Sequence, residues 1–330
     1  MGTSNCSSCN CTNKEQDNEF TLKAESKKAS QETESKYSSV INSQNIRKIE
    51  PLLIRLQAVW RGYKVRKSLK KSKKKISFAD NLVSYSPKRK KSSEYGSYTF
   101  KSGAVYTGYW KNNLRHGTGR QVWPDGAKYE GEWKDNKAEG HGIFFYTNGN
   151  TYEGCWSADK ANGKGAIASL DGNHYEGDWK DDVQDGFGTE TWPDGSGYAG
   201  FFKKGKKEGL GRYLWADGKE YSGYWEDNKI HGIGTYRWSD GRIYFGEWLA
   251  GKMHGFGHLS WKDGRRYEGQ FVSDKRAGQG IYVWPNGKKY RGAWRHGKMD
   301  GKGMMISETG EMREGLWKDG KLLKWNDEYP

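Results

Sequence analysis

No run in this chain approaches the roughly 18–20 apolar residues that a membrane-spanning helix needs, so no such helix is expected. Cysteine is scarce: Cys6, Cys9, Cys11 and Cys155 are the four present, and no apolar stretch follows the first three. That pattern excludes a secretory signal joined to a disulfide framework, and an intracellular, reducing compartment is expected. Hydrophobic residues make up only 33% and the mean hydropathy is −1.06, too little for a thick globular core. No histidine occurs before His116, and no glycine-rich loop leads into a helix in the manner of a phosphate cradle. The 46 glycines follow no three-residue period, which excludes a collagen-like chain.

What is abundant is ordered. Nine tyrosines, from Tyr106 through Tyr129 and Tyr152 to Tyr290, stand 23 residues apart with no insertion or deletion between them. Two residues after each comes a glycine, from Gly108 to Gly292, and four residues after each comes Trp or Phe. Paired glycines such as Gly117 and Gly119, or Gly140 and Gly142, recur in every period. A fixed short period means one supersecondary unit repeated as an array, which favours a partner-presenting surface over a single-pocket enzyme.

Within Tyr129-Glu130-Gly131-Glu132-Trp133, rings and glycine alternate with acids, the period of a strand with one apolar and one wet face. A polar turn is expected over Lys134 to Glu139, then a second strand from Gly140 to Tyr146. Asn148-Gly149, like Asp125-Gly126 and Asp217-Gly218, signals the next turn, where positive φ is needed. Each repeat therefore reads as one antiparallel hairpin, and successive hairpins as a meander. Large rings beside unvarying glycines suggest rings packed over bare backbone. The segment YEGEWKDNKAEGHGIFFYTNGN, Tyr129 to Asn150, resembles the MORN (membrane occupation and recognition nexus) repeat. The resemblance covers about two-thirds of the chain, with partial units at both ends. It implies a scaffold at membrane–cytoskeleton junctions, cortical structures or cilia, with dimerisation and phosphoinositide binding as further family expectations.

No nucleophile–base pair stands out from the period. His116, His231 and His254 share one slot with Glu139, Asn162, Asp185 and Glu208, so the slot reads as a turn position and not a catalytic base. Cys155 fills a variable strand position. Phe202 and Phe271 replace Trp, and Ser169 and Ser307 stand where a ring is usual. No enzyme activity, cofactor or metal is expected. An open sheet nonetheless leaves apolar area exposed, and a contiguous exposed patch marks an interaction face.

The net charge of +15 is concentrated. Residues 1–46 carry −1, residues 47–91 carry +14 and residues 92–330 carry +2. In the basic segment, Pro51 opens a pattern in which Leu52, Leu56, Val59, Trp60 and Tyr63 share one face of a helix, flanked by Arg55, Arg61, Lys64, Arg66 and Lys67. A basic amphipathic helix reads as a calmodulin target or a membrane-surface helix. Leu56-Gln57, Arg61-Gly62 and Arg66, separated by three residues each time, resemble the IQ motif. The resemblance implies a calmodulin-type partner. Gln57 would bond its semi-open lobe, Gly62 would permit close approach, and Arg61 and Arg66 would meet acidic groups, with Trp60 on the apolar face. Lys70, Lys71, Lys73, Lys74 and Lys75 extend the charge and suit anionic lipid, at about 1 kcal/mol per basic residue; no nucleic-acid partner is expected.

The N-terminus begins MGTSNCSSCNC. Gly2 resembles a myristoylation start, although Cys6 stands where Ser or Thr is usual, and Cys6, Cys9 and Cys11 lie within reach of palmitoylation. A plain tail and a three-thiolate metal site are the other readings of these residues. The expected organisation is a disordered tail over 1–45, a basic helix over 46–76, a Ser/Lys-rich linker over 77–94 and an array over 95–326. The expected fold is mainly β, an elongated single-layer antiparallel meander. The expected role is a non-enzymatic scaffold, cytoplasmic and peripheral to membrane or cytoskeleton, that docks an unidentified protein and recruits calmodulin. A lipid-tethering module and a regulatory subunit of an enzyme complex are the alternatives.

Overall fold

The structure is a computed structural model that describes residues 94–326. The helix expected over 46–76, with its tail and linker, lies outside the described residues. Among the described residues there are 21 strands and no helix, so this part is wholly β. They form two compact units: residues 94–193 with 202–205, and residues 194–201 with 206–326. In the first, nine strands run from Glu94–Thr99 to Val183–Thr191. In the second, eleven run from Lys206–Leu214 to Lys321–Trp325. The strand Gly197–Lys203 contributes residues to both. Within each unit, strands consecutive in sequence pair antiparallel, as the hairpin reading requires.

Each repeat pairs a seven-residue strand such as Lys128–Lys134 with a nine-residue strand such as Lys137–Phe145. The turn between them is only Asp135-Asn136, with φ of 50° and 70°. Two consecutive positive φ values match the twist of flanking strands, and Asp and Asn tolerate that region well. The expected six-residue turn is therefore corrected: the second strand starts at Lys137, not Gly140. Its two extra residues form a bulge, because Gly131 pairs with Gly142 while Trp133 pairs with Ala138. Gly140, at φ 70°, sits in that bulge. The Asp-Gly turns form where expected. Gly126 N donates to Trp123 O at 3.0 Å, Asp125 Oδ1 accepts from Ala127 N, and the glycine alone takes positive φ.

The nine periodic tyrosines, with Phe271, are the most deeply buried large side chains described. Each lies against two glycines that face each other across the hairpin. A Cβ on Gly142 would fall 2.5 Å from Tyr129 Cζ, and one on Gly131 would fall 2.5 Å from Gly142 Cα. The Tyr129 hydroxyl donates to Glu132 O at 3.0 Å, which satisfies it at the sheet surface. The tryptophan four residues on reaches back one repeat: Trp133 Nε1 donates to Gly119 O at 3.0 Å, and Trp225 Nε1 to Gly211 O at 3.2 Å. Tyr129 meets Trp133 and Trp156 edge to face, with centroids at 5.0 and 5.2 Å. In the second unit Tyr221 meets Trp225 and Trp248 at 5.4 and 5.7 Å. Such pairs contribute about 0.5–1.5 kcal/mol each beyond area burial. The core of each unit is thus one ring thick and lies on one sheet face.

Turns add a second link between repeats. Asp159 N donates to Ala138 O, and Asp159 Oδ1 accepts from Ala138 N at 2.7 Å. Asp182 does the same to Ala161, and in the second unit Asn228 Oδ1 accepts from Lys207 N at 2.8 Å.

Two outcomes follow from this packing. Gly142→Ala should lower stability by about 2–3 kcal/mol through overpacking. Gly96→Ala, whose added Cβ meets nothing within 4 Å, should change it by less than about 0.5 kcal/mol. Urea unfolding followed by tryptophan fluorescence separates the two, and equal midpoints would refute the ring-over-glycine constraint. Burial also pushes the phenol pKa of Tyr106 and Tyr290 up to about 12, and those of Tyr129, Tyr175 and Tyr244 higher still. The folded state therefore holds protons that the unfolded chain releases above about pH 10. This stability is full below pH 10 and is lost as pH rises toward 12 and beyond. In an alkaline titration read by phenolate absorbance, the core tyrosines should ionise in one steep step together with loss of the β circular-dichroism signal. Gradual ionisation near pH 10 with the signal intact would contradict it.

Candidate interaction surfaces

The ring face is not fully closed. Beside the buried Tyr–Trp ladder runs a second row, from the end of each nine-residue strand and the residue opening the next turn. In the second unit it comprises Tyr213, Trp215, Tyr236 and Trp238, all half-buried, with neighbouring centroids 4.5–5.3 Å apart and planes tilted 38–44°. The Arg242 guanidinium lies 4.9 Å from the Trp238 ring centroid, and Arg265 lies 5.3 Å from that of Trp261. In the first unit Trp123, Phe144 and Tyr146 form the same row, with Tyr146 exposed. Ser169 and Ser307 interrupt it. The row offers flat apolar faces rimmed by cations, a surface suited to a peptide or protein partner.

The opposite face varies along the array. In the first unit its strand positions hold Glu130, Glu132, Glu153, Glu176 and Asp178. In the second it holds Ala199, Phe201, Leu210, Tyr224 and Ile233. Several of its acids have structural duties that the sequence reading missed. Glu132 Oε1 accepts from His141 N at 3.1 Å, Asp178 Oδ2 from Phe187 N at 2.8 Å and Glu247 Oε1 from Phe256 N at 2.6 Å. Each carboxylate thus caps an amide next to the bulge glycine. Burial pushes the Glu247 carboxyl pKa up, against the lowering effect of that amide. The acid three residues after Tyr129, Tyr175 and Tyr244 was the available signal, but the bulge that makes it a cap is a property of register.

The slot of His116, His231 and His254 is also corrected. It lies inside the nine-residue strand at the bulge, not in a turn. Where it holds an acid, the acid bonds the next repeat: Glu139 Oε2 accepts from Ala158 N at 3.0 Å and Glu208 Oε2 from Asp227 N at 3.2 Å. His231 Nδ1 lies 3.0 Å from Glu226 Oε2. A slot that staples repeats together is not a catalytic base. Cys155 is half-buried and borders a shallow depression of about 400 Å³ with Glu139, Trp156 and Asn162. No group of three or more His, Cys, Asp or Glu suited to a metal occurs among the described residues. Arg115 and Arg276 lie over Trp133 and Trp294, at 4.3 and 4.2 Å from the ring centroids, and burial lowers the pKa of both guanidinium groups.

The residues assigned from sequence to calmodulin (Leu56, Gln57, Trp60, Arg61, Gly62, Arg66), to acylation (Gly2, Cys6, Cys9, Cys11) and to anionic lipid (Lys70 to Lys75) all lie outside the described residues.

Comparison with known proteins bears on both parts of the chain. The MORN repeat family model matches nine times between residues 106 and 312. The IQ calmodulin-binding motif matches residues 53–70. No curated protein matches the chain significantly. Among solved structures, the wild-type TCP10 domain of Danio rerio CPAP is 14% identical, covering 70% of this chain and 99% of that one, with a TM-score of 0.26. The Drosophila melanogaster SAS-4 TCP domain, solved with a proline-rich motif of Ana2, is 11% identical over 52% of this chain and 86% of that one, with a TM-score of 0.30. These scores are too low to carry an argument about this protein.

Proposed function

The chain belongs to the MORN repeat family, and from that premise we propose that it is a non-enzymatic scaffold acting at a membrane–cytoskeleton or ciliary structure. MORN repeats and an IQ motif are binding elements, and together they make the chain a protein-binding repeat scaffold with a calmodulin-binding segment. The observation that carries the docking role is the half-buried aromatic row of Tyr213, Trp215, Tyr236 and Trp238, which repeats with the array and serves no described active site. A contiguous apolar row left half open to solvent suits an interaction site.

Division of charge supports a division of labour. The array is nearly neutral at +2 over residues 92–330, whereas residues 47–91 carry +14. In this reading the basic segment holds anionic membrane and the array holds the protein partner. Acylation at Gly2 with Cys6, Cys9 or Cys11 supplies the second anchor that a single myristoyl chain lacks. Calmodulin, by wrapping residues 53–70, masks part of the basic charge and acts as an electrostatic switch.

The test uses the full chain and vesicles containing phosphatidylserine. Saturating calmodulin should weaken vesicle binding at least tenfold, and replacing Lys70, Lys71, Lys73, Lys74 and Lys75 with Gln should weaken it comparably. Binding untouched by calmodulin would sink the switch. Binding untouched by the lysine replacement would move the lipid site to the array, which is the phosphoinositide-binding alternative.

A further inference from the structure

The tryptophans of the second unit fall into two classes by what their indole N–H does. Ladder residues spend it: Trp225, Trp248 and Trp294 donate to the carbonyls of Gly211, Gly234 and Gly280 at 3.2–3.3 Å. Trp215, Trp238, Trp261 and Trp284 are all half-buried, and their indole N–H groups donate to no partner among the described residues. Ser307 occupies the next slot and ends the row. One indole thus recurs per repeat, with an unused donor and part of its ring open to solvent.

The sheet fixes their spacing. Two strands per repeat, at about 4.8 Å each, set a pitch of about 9.6 Å. Ring positions agree: Tyr236 lies 5.3 Å from Trp215 and 4.5 Å from Trp238, so those two indoles stand within about 10 Å of one another. A polyproline II helix, with three residues per turn and about 3.1 Å per residue, presents an equivalent side chain every ~9.3 Å. Over four turns the mismatch stays near ~1 Å. A β-strand covers the pitch in about three residues, but its residues i and i+3 point to opposite sides. An α-helix returns to the same face after seven residues and about 10.5 Å, and drifts by about 1 Å at every repeat. Polyproline II also makes no internal hydrogen bonds, and proline brings carbonyl acceptors without N–H donors. That chemistry complements a row of indole donors, and the preformed conformation costs little ordering on an aromatic surface.

Charge describes the flank of such a ligand. Asp217, Asp240 and Asp263 pair with Lys219, Arg242 and Arg265 in the first three turns. In the fourth, Asn286 replaces the acid, and neither Lys262 nor Lys288 makes an ion pair among the described residues. Glu308, which accepts from Asn286 Nδ2, offsets only one of these two lysines. The Trp284 end of the row is therefore positive and suits a carboxylate.

We propose that Trp215, Trp238, Trp261 and Trp284 take a proline-rich segment of a protein partner, held in the polyproline II conformation across the strands. One turn meets each indole, and an acidic flank lies beside Lys262 and Lys288. The inference deepens the docking role of the aromatic row and rests on it.

The test uses the full chain and fluorescein-labelled oligoprolines of 6, 9, 12 and 15 residues, read by fluorescence anisotropy. Binding should strengthen about fivefold with each added turn up to 12 residues and level off at 15. A 12-residue peptide with a Glu-Glu flank should bind at least threefold more tightly than one with Lys-Lys, and a flat or reversed preference overturns the acidic flank. Trp238→Ala should weaken binding at least tenfold. Trp238→Phe, which keeps a ring and removes the donor, should weaken it about threefold, and Trp123→Ala in the first unit should change nothing. The length series on the unaltered chain stands whether or not the Trp238 variants fold. Binding that is absent, independent of length or indifferent to Trp238→Ala overturns the assignment. A displayed library of random 12-residue peptides separates it from the docking role. Trp238-dependent binders without proline at every third position overturn the proline ligand and leave docking in place, whereas a library with no Trp238-dependent binder removes both.

Discussion

A tyrosine ring lying on two facing glycines is the contact from which the rest of each unit follows. Because the ring occupies the space of both missing side chains, the two strands of a hairpin stay at backbone distance while a large apolar group sits directly on them. Tyr129 illustrates the closeness: an added methyl on Gly142 would collide with its ring, and one on Gly131 would collide with the facing strand. Overpacking of that kind is destabilising because interiors are already at crystal-like density. The ring needs no second sheet to bury it, since glycine backbone lies beneath it and the neighbouring tryptophans close its edges. A low-hydropathy chain can therefore build an ordered core one ring thick.

The absence of any insertion over nine periods has the same origin. Trp133 bonds the carbonyl of Gly119, fourteen residues back, and Asp159 bonds the backbone of Ala138, twenty-one residues back. Within a unit, an extra residue in a strand would break the ring contact, the indole bond and the turn staple together. Phe271 shows what the system tolerates. It keeps the edge-to-face contacts with Tyr244 and Tyr267, at 5.2 and 5.1 Å, and loses only the indole donor. Shape is thus more stringent than the hydrogen bond, in line with a net value near 1 kcal/mol for such a bond.

Hairpin architecture, burial of the tyrosines and the structural role of the glycines were all legible from the sequence, because each depends on local alternation and a strict period. The turns were only half legible. Asp-Gly signals are well known, but the two-residue turns include Ala158-Asp159, whose first residue carries no positive-φ signature. The second strand reads three residues late because Lys137 to Glu139 look like more polar turn and Gly140, which lies in the bulge, looks like the strand's start. The functions of Glu132, Asp178 and Glu139 were hidden more deeply, since a bulge amide and a neighbouring repeat's turn are their partners. A carboxylate row on one face reads as a wet surface until register shows which amides it caps. The calmodulin segment was legible for the opposite reason: Leu56-Gln57, Arg61-Gly62 and Arg66 form a local pattern that needs no tertiary context.

The positions left free by the repeat are where specificity resides. Tyrosine, glycine and tryptophan slots are committed to packing, so evolution of a binding face is confined to the second aromatic row and to the face opposite the rings. Those two surfaces differ in kind. Tyr213, Trp215, Tyr236 and Trp238 continue a regular row that any register-matched, flat partner could follow. Leu210, Tyr224 and Ile233 stand with Phe201 and Phe245 on the face where the first unit holds carboxylates. A row supports extended contact with tolerance for register, whereas a local change of side chains confines contact to a few strands. A scaffold that carries both presents one surface that repeats with the array and one that is confined to the second unit.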